Sequence, residues 1–281
     1  MEKIPDYIKL WNEIAEKRNA AKQNDQDGDI WEKRAQKFDR QLKKRWKKSD
    51  SSREWMLDLL RRNPGSTLLD IGAGTGAWAC LLAPLCRTVT AIDPSQAMID
   101  ILKNNMIEAN VDNIEIIQDT WPFEMNRSFD FTLSSHSIYG CSDFEEYIRA
   151  MQTVTRKTCV LLLRAPSPVG LMADISRTIL GTPYDSPNFQ IAYNALLQMG
   201  IFADVVVEND GLWKPWRYYT LSEAVNDIKE KMGVMDLCRY DDYLMDLLET
   251  HLQKTEQGLM WPEIVRTVLV HWNVDKSEDQ V

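Results

Sequence analysis

Histidine is scarce in this chain, with three in 281 residues, and no two cysteines are spaced as C-x-x-C. The five cysteines, Cys80, Cys86, Cys141, Cys159 and Cys238, are odd in number and scattered. That pattern argues against a disulfide scaffold and a structural zinc site, and it fits a reducing compartment. No stretch approaches the ~18 apolar residues of a membrane span. The opening Met1-Glu2-Lys3-Ile4-Pro5-Asp6 has no apolar signal-peptide core. Internal repeats and low-complexity segments are also missing. The expectation is a cytoplasmic protein with no membrane partner and no metal.

Hydrophobic residues make up 44% and charged residues 27%, which suits a soluble chain with a core large enough for one domain plus an insertion. Net charge is −9, unevenly spread. Residues 1–50 carry 14 Lys and Arg against 10 Asp and Glu, and the remainder 19 against 32. A body that acidic repels phosphate backbones, so nucleic acid is not the expected partner. The basic run Lys43-Lys44-Arg45-Trp46-Lys47-Lys48 reads first as the solvated face of a helix.

The spacing predicts helices over 6–22 and 30–48, with Tyr7, Trp11, Trp31, Phe38 and Trp46 among the charges, and a polar break over 24–29. A third helix is expected from Ser51, where Ser51-x-x-Glu54 fits a capping box, to Asn63-Pro64-Gly65. Strands and helices then alternate. Strands are predicted at 68–71, 88–92, 114–117, 129–133 and 159–163, with a capping box Ser142-x-x-Glu145 before the last intervening helix. Alternation at this spacing implies βαβ units and a doubly wound α/β sheet. Beyond 165 the expected elements are helices over 169–180 and 188–199 and a strand at 203–207. A helix capped by Thr220-x-x-Glu223, one over 241–253, and a strand at 267–272 follow. The predicted organisation is an N-terminal helical cap over 1–63, then one domain over 64–281 with a lid insertion at about 165–260.

The stretch Leu68-Leu69-Asp70-Ile71-Gly72-Ala73-Gly74-Thr75-Gly76 reads as a strand, a glycine loop and a helix start. Glycines admit positive φ and close approach of a ligand to the backbone. Gly72, Gly74 and Gly76 fit G-x-G-x-G, but Gly72-x-Gly74-x-x-Ala77 also satisfies the looser dinucleotide fingerprint. An acid at Asp70 disfavours a pyrophosphate and welcomes an ammonium group. Asp93, closing the second strand, is placed for ribose hydroxyls, which either cofactor would bring.

Taken with Ala91-Ile92-Asp93-Pro94-Ser95, Gln118-Asp119-Thr120-Trp121 and Phe129-Asp130-Phe131-Thr132-Leu133, the glycine stretch resembles the class I S-adenosylmethionine-dependent methyltransferases over about residues 66–164. The resemblance implies a Rossmann-like sheet of seven strands whose last strand, 267–272, runs antiparallel. It also implies S-adenosylmethionine as cofactor. Gly72, Gly74 and Gly76 would line its methionine and ribose portion, and Asp93 would hold both ribose hydroxyls. Met98 would lie near the adenine, with Asp119 on its amino group and Trp121 alongside. Asp70, Ala73, Pro94, Thr120 and Ser134 complete the expected cofactor-binding set. The element Trp31-Glu32-Lys33-Arg34-Ala35-Gln36-Lys37-Phe38-Asp39 resembles the Trp-x-x-x-Ala-x-x-Phe/Tyr-Asp opening of small-molecule methyltransferases, which caps the cofactor.

Methyl transfer from a sulfonium needs positioning, exclusion of water and, for a protonated acceptor, a base. His136 and Tyr139 lie just past the fourth strand, and His136 is a candidate base near neutral pH. A histidine simply bonded in a loop is the competing reading. The chain lacks the Asn/Asp-Pro-Pro-Tyr/Phe element of amino methyltransferases and the Pro-Cys of cytosine methylases, so Cys141 is not an expected nucleophile. Met172, Tyr184, Phe189, Trp213, Trp216 and Tyr219 are expected to roof a small-molecule acceptor site, with Trp31 and Phe38 contributing. Two other readings remain open at this point: an NAD(P)-dependent oxidoreductase and a catalytically silent S-adenosylmethionine-binding protein.

Overall fold

The computed structural model describes residues 5–23, 29, 31–32, 34–208 and 216–274, without the side chains of 21–23. Its centre is a seven-stranded sheet of β1 (Thr67–Ile71), β2 (Thr88–Ile92), β3 (Ile114–Ile117), β4 (Phe129–Ser135), β5 (Thr155–Ala165), β6 (Asp204–Val207) and β10 (Arg266–Asn273), in the order β3-β2-β1-β4-β5-β10-β6. The first five strands pair in parallel, and β10 runs antiparallel between β5 and β6. Every residue of β1 is buried, because a parallel strand covered on both faces exposes no side to water. The chain winds outward from β1 to β3 and then returns to β4 on the other side. That reversal opens a crevice at the carboxyl ends of β1 and β4, where such sheets bind ligands.

One face is covered by α3 (Ser51–Arg61), α4 (Ala77–Leu82) and α5 (Gln96–Ala109), which bury Met56, Leu60, Leu82 and Leu102 against Leu68, Phe131 and Leu133. The other is covered by α1 (Tyr7–Gln23), α6 (Phe144–Val154) and α8 (Phe189–Gln198). Helix α1 is tied in by more than apolar contact. The fully buried Trp11 packs 4.9 Å from Phe144 and donates its indole N–H to the Cys141 carbonyl at 3.0 Å. Asn12 accepts from the Phe144 N–H at 3.0 Å, and Asn19 donates to the Gly140 carbonyl at 2.8 Å.

A second core forms beyond β5. Helices α7 (Leu171–Leu180), α9 (Leu221–Met232) and α10 (Asp241–His251) enclose Leu171, Ile175, Ile228, Leu244, Leu248 and Trp261. A three-stranded sheet of β7 (Arg217–Tyr218), β9 (Gly258–Met260) and β8 (Gln253–Thr255) closes it. Strands of two or three residues are too short for alternation to register, and the sequence reading did not anticipate this sheet. Among the described residues no helix is long and apolar enough to cross a membrane.

Two helix starts differ from expectation by one position. The N-cap of α3 is Asp50, whose carboxylate accepts from the Arg53 N–H at 2.8 Å, and the Ser51 hydroxyl is buried without a partner. The N-cap of α6 is Asp143, accepting from the Glu146 N–H at 2.9 Å. In both places an aspartate next to the expected serine takes the cap, before it at Asp50 and after it at Asp143, since the two residue types cap about equally well. Thr220 caps α9 as expected, at 3.1 Å from the Glu223 N–H. The basic run ends α2 (Ala35–Arg45). Within it Lys43 pairs with Asp39 at 3.2 Å and Glu108 at 2.7 Å, and Trp46 lies under the Arg53 guanidinium.

Asp50 also forms a buried ion pair with Arg53 at 2.5 Å. Asp50→Ala removes both the cap and the counter-charge, and is expected to cost about 2–4 kcal/mol. Urea unfolding should show the midpoint fall at unchanged m value, with Asp50→Ser, which keeps the cap alone, lying between.

Candidate active site

The loop leaving β1 is shaped by three glycines in the left-handed region, with φ of 69° at Gly72, 57° at Gly74 and 78° at Gly76. Their surroundings differ. A Cβ on Gly72 would lie 2.2 Å from the Ser137 Cβ, and one on Gly76 would lie 2.6 Å from Leu102. A Cβ on Gly74 would meet nothing within 4 Å. Gly72 and Gly76 are therefore required by packing, whereas Gly74 faces open space. The Ala73 N–H donates to the Ile92 carbonyl at 2.8 Å, which fastens the loop to the end of β2.

Asp93 sits at that junction. Its carboxylate accepts from the Gly74 N–H at 2.8 Å and from the Ser95 N–H at 3.0 Å. Ser95 caps α5 and donates its hydroxyl to Asp29 at 2.6 Å. Asp70, on β1, is buried, and its Oδ2 has no hydrogen-bond partner. Burial, then the neighbouring Asp93, pushes the Asp70 carboxyl up to about 7. Burial also raises Asp93, with Asp29 adding to it and the two backbone N–H groups opposing. At Asp29 burial is outweighed by the bonds from Ser95 and the backbone, and the group stays below the usual carboxylate range. Asp93 raises the proton affinity of Asp70 and Asp29 raises that of Asp93, so the cluster suits positive charge and repels a pyrophosphate. Asp29 was not among the expected site residues. The only sequence signal for it was its place two residues before Trp31, in the polar break.

The Trp31 element lies beside this loop. Trp31 and Phe38 meet edge to face at 5.4 Å. Asp39, the last residue of that element, accepts from Asn105 Nδ2 at 2.9 Å, and the same amide donates to the Thr75 carbonyl at 2.8 Å. One amide thus joins α2, α5 and the glycine loop.

The residues expected around an adenine are dispersed in character. Met98 is buried in the first turn of α5, and Pro94 is exposed. Asp119 is exposed and accepts from the Thr120 N–H at 2.7 Å. Trp121 is a core residue: it is buried against Phe123 and Tyr147, at 5.9 and 6.4 Å.

At the end of β4, the Ser134 hydroxyl lies 2.9 Å from both Ser137 and Tyr147, and Ser137 donates to the Ile71 carbonyl at 2.7 Å. His136 follows with φ of 55°. The Tyr139 hydroxyl accepts from the Arg164 N–H at 2.6 Å and shares a hydrogen bond with His136 Nδ1 at 2.9 Å. His136 Nε2 faces Thr267 Oγ1 at 3.4 Å. Burial, then Arg45 and Arg164, holds the imidazole down to about 3. The expectation of a base near neutral pH does not fit this ring: it is neutral, engaged at both nitrogens and weakly basic. Burial raises the Tyr139 phenol and the Cys141 thiol above their ordinary values.

The aromatic residues expected over the acceptor divide. Trp216 meets Trp261 edge to face at 5.2 Å with the Lys231 ammonium 4.1 Å above its ring, at the second core, where Met172 is also buried. Tyr219 is 86% exposed. Tyr184 and Phe189 pack instead against the main core. Trp213 lies outside the described residues.

Residues 69–163 match the family model described as a methyltransferase domain. A demethylmenaquinone methyltransferase from Listeria monocytogenes serotype 4a is 26% identical over 140 residues, covering 45% of this chain and 56% of that protein. A release factor glutamine methyltransferase from Buchnera aphidicola is 28% identical over 81 residues, covering 28% of this chain and 30% of that one. The chain thus spans about half the length, or less, of these curated relatives. In fold it is similar to the YcgJ protein from Bacillus, with a TM-score of 0.52 at 18% identity over 80% of this chain and 100% of that one. It is also similar to the plantazolicin methyltransferase BpumL solved with S-adenosylhomocysteine, with a TM-score of 0.53 at 13% identity over 95% of this chain and 99% of that one. Its sheet order, its glycine loop and the match over residues 69–163 agree in marking that part of the chain as a methyltransferase domain.

Proposed function

We propose that this chain is an enzyme that transfers a methyl group from S-adenosylmethionine to a small-molecule acceptor. The observation that carries the reading is the buried Asp70 Oδ2, which lacks a partner beside a glycine loop whose middle residue faces open space. A buried acceptor atom left unpaired costs ~1–3 kcal/mol, and a ligand ammonium would satisfy it. The acidic surroundings favour a cationic cofactor over a dinucleotide, so the oxidoreductase reading is not favoured.

When bound, S-adenosylmethionine supplies a methyl carbon on a sulfonium; in an in-line displacement the C–S bond breaks with its electron pair left on sulfur. In this reading Asp70 holds the amino group of the methionine portion. Asp93 accepts from the ribose hydroxyls while keeping its bonds to Gly74 and Ser95. Gly72, Ala73, Gly74 and Gly76 let the backbone approach the ligand, and Ser134 closes the floor at β4. Met98, Pro94, Asp119 and Thr120 border the adenine. Trp121 acts from the core, by supporting the turn that carries Asp119. Trp31 and Phe38 cover the cofactor from the N-terminal side, and Tyr184 borders the acceptor. The orientation of donor and acceptor, at ~3–3.5 Å between reacting atoms, supplies the rate. His136 and Tyr139 take a positioning role: their hydrogen bonds fix the turn after β4 to the end of β5. Of the expected insertion over about 165–260, α8 and β6 belong to the main sheet and core, and the second core of α7, α9, α10 and the β7–β9 sheet serves as a lid flanking the acceptor. The scattered free cysteines support a cytoplasmic setting.

Two outcomes test this reading. Gly74→Ala meets no neighbour and costs only the left-handed strain of ~1–2 kcal/mol, so the protein should stay folded. The methyl group would, however, occupy the ligand's space. Calorimetry should show S-adenosylhomocysteine affinity reduced by roughly 100-fold or more, a loss of ~3 kcal/mol, and unaltered affinity would overturn the assignment of this loop.

The second outcome concerns pH. The folded protein keeps the Asp70 proton up to about 7, whereas the unfolded chain releases it near 3.8. The stability contributed by protonated Asp70 is therefore complete below about pH 4 and is lost as pH rises through about 7. In the ligand-free protein, Asp70→Asn should flatten that decline in urea-unfolding series. A bound ammonium favours ionised Asp70, so S-adenosylhomocysteine binding should tighten from pH 6 to pH 8 and release a proton at the lower value. Calorimetry in two buffers of different ionisation enthalpy reads that proton.

A further inference from the structure

One strand beyond the His136–Tyr139 pair, on the side away from the glycine loop, stand two guanidinium groups that the reading above does not use. Arg164 leaves β5 at its carboxyl end, and Arg18 belongs to the turn of α1 that Asn19 anchors over Gly140. Both carboxylate oxygens of Asp185 bond to Arg164 Nη2, at 2.8 and 2.6 Å. Arg164 Nε is nonetheless buried and unpartnered. Arg18 is half-buried, and among the described residues it has no hydrogen bond or ion pair. It is close enough to Arg164 that, after burial itself, the second guanidinium is the main force lowering its proton affinity, with Asp185 and Tyr139 opposing.

Charge can be counted here. Arg18 and Arg164 contribute two positive charges and Asp185 one negative, while His136 and Tyr139 are neutral. One positive charge is left over in a chain whose net charge is −9. A cation held partly out of water without a partner works against stability, so its place in the crevice calls for a ligand that supplies the missing charge. Two residues beyond Arg164, the Pro166 carbonyl accepts from Gln190 Nε2 at 2.5 Å, and Gln190 Oε1 is buried with no partner.

We propose that the methyl acceptor is a small monocarboxylate, its carboxylate held between Arg18 and Arg164 at the carboxyl end of β5 and an N–H or O–H of the same molecule donated to Gln190. The proposal rests on the methyltransferase reading. A guanidinium fork matches a carboxylate in plane, and a single negative charge balances the surplus. A dianionic phosphate would exceed that surplus and press on Asp185. The arginines grip the acceptor away from its reacting atom and act as specificity residues.

The test uses the full chain saturated with S-adenosylhomocysteine. Probes are benzoate, 4-hydroxybenzoate, 3-aminobenzoate and indole-3-acetate, each paired with its primary amide, and phenyl phosphate. Binding is measured by calorimetry. The carboxylates are expected to bind at least ~10-fold more tightly than their amides, the loss that goes with a charge-assisted hydrogen bond. Arg18→Gln should abolish that preference and Arg18→Lys should retain part of it, with S-adenosylhomocysteine affinity unchanged in both. Acids and amides that bind alike or not at all, a preference that survives in Arg18→Gln, or phenyl phosphate binding more tightly than benzoate would each overturn the proposal. If the unaltered chain fails to bind S-adenosylhomocysteine, the cofactor reading itself falls, and that result is separate from the others.

Discussion

The carboxylate of Asp93 is the tie on which the carboxyl edge of the sheet depends. It accepts from the Gly74 N–H on one side and the Ser95 N–H on the other, so one acid holds both the loop after β1 and the start of α5. Hydrogen bonds to a charged acceptor contribute ~1.5–3 kcal/mol each. Those bonds keep the loop's N–H groups turned inward, although Asp93 stands near a second buried acid at Asp70 that raises its electrostatic cost. The steric requirements agree with this tie. Gly72 packs against Ser137 and Gly76 against Leu102, so the ends of the loop are clamped while Gly74 between them stays uncovered. The loop is accordingly rigid at both ends and open at its centre.

The edge is polarised across four neighbouring strands, β2, β1, β4 and β5. Acids gather at the ends of β1 and β2, with Asp29 contributed from outside the sheet, and guanidinium groups gather beyond β5. Between them lies a neutral bridge from the Arg164 backbone through Tyr139 to His136. Burial, and then the like charges of Arg45 and Arg164, keep the imidazole's proton affinity low. The bridge fixes the spacing of the two charged regions without carrying charge itself.

How much of this was legible in the sequence depends on the length scale of each signal. The sheet was, because its strands alternate with helical stretches at regular spacing, β5 carries the apolar run Cys159–Leu163, and residues 267–272 fell within the antiparallel β10. The glycine loop and Asp93 were, because a positive φ and an acid closing a strand leave marks on residue type. The caps at Asp50 and Asp143 were misplaced by one residue because serine and aspartate stood side by side and either can accept from the helix N–H groups. The short strands β7 to β9 left no pattern long enough to read. Trp216 carried the right residue type for a lid, but tertiary packing sent it to a separate core with Trp261. The Arg18–Arg164 pair was invisible for a different reason. The two residues are far apart in the chain, and nothing local distinguishes a guanidinium without a partner from one on a solvated helix face.

Under the proposed function the polarity of the edge has a kinetic consequence. Transfer turns a sulfonium into a neutral thioether, so positive charge on the donor declines toward the transition state. Acids that attract this charge bind the reactant more strongly than the transition state, and by that route they cannot raise the rate. Their effect falls on the choice of cofactor and on product release, since the product carries one positive charge fewer. Acceleration must then come from orientation and from the removal of water. The groups able to supply it are those whose interactions do not change during transfer: the clamped glycine loop, the neutral His136–Tyr139 bridge, and any contact that holds the acceptor away from its reacting atom. Two arginines gripping a distant carboxylate satisfy that condition, because the charge they bind is the same before and after the methyl group moves.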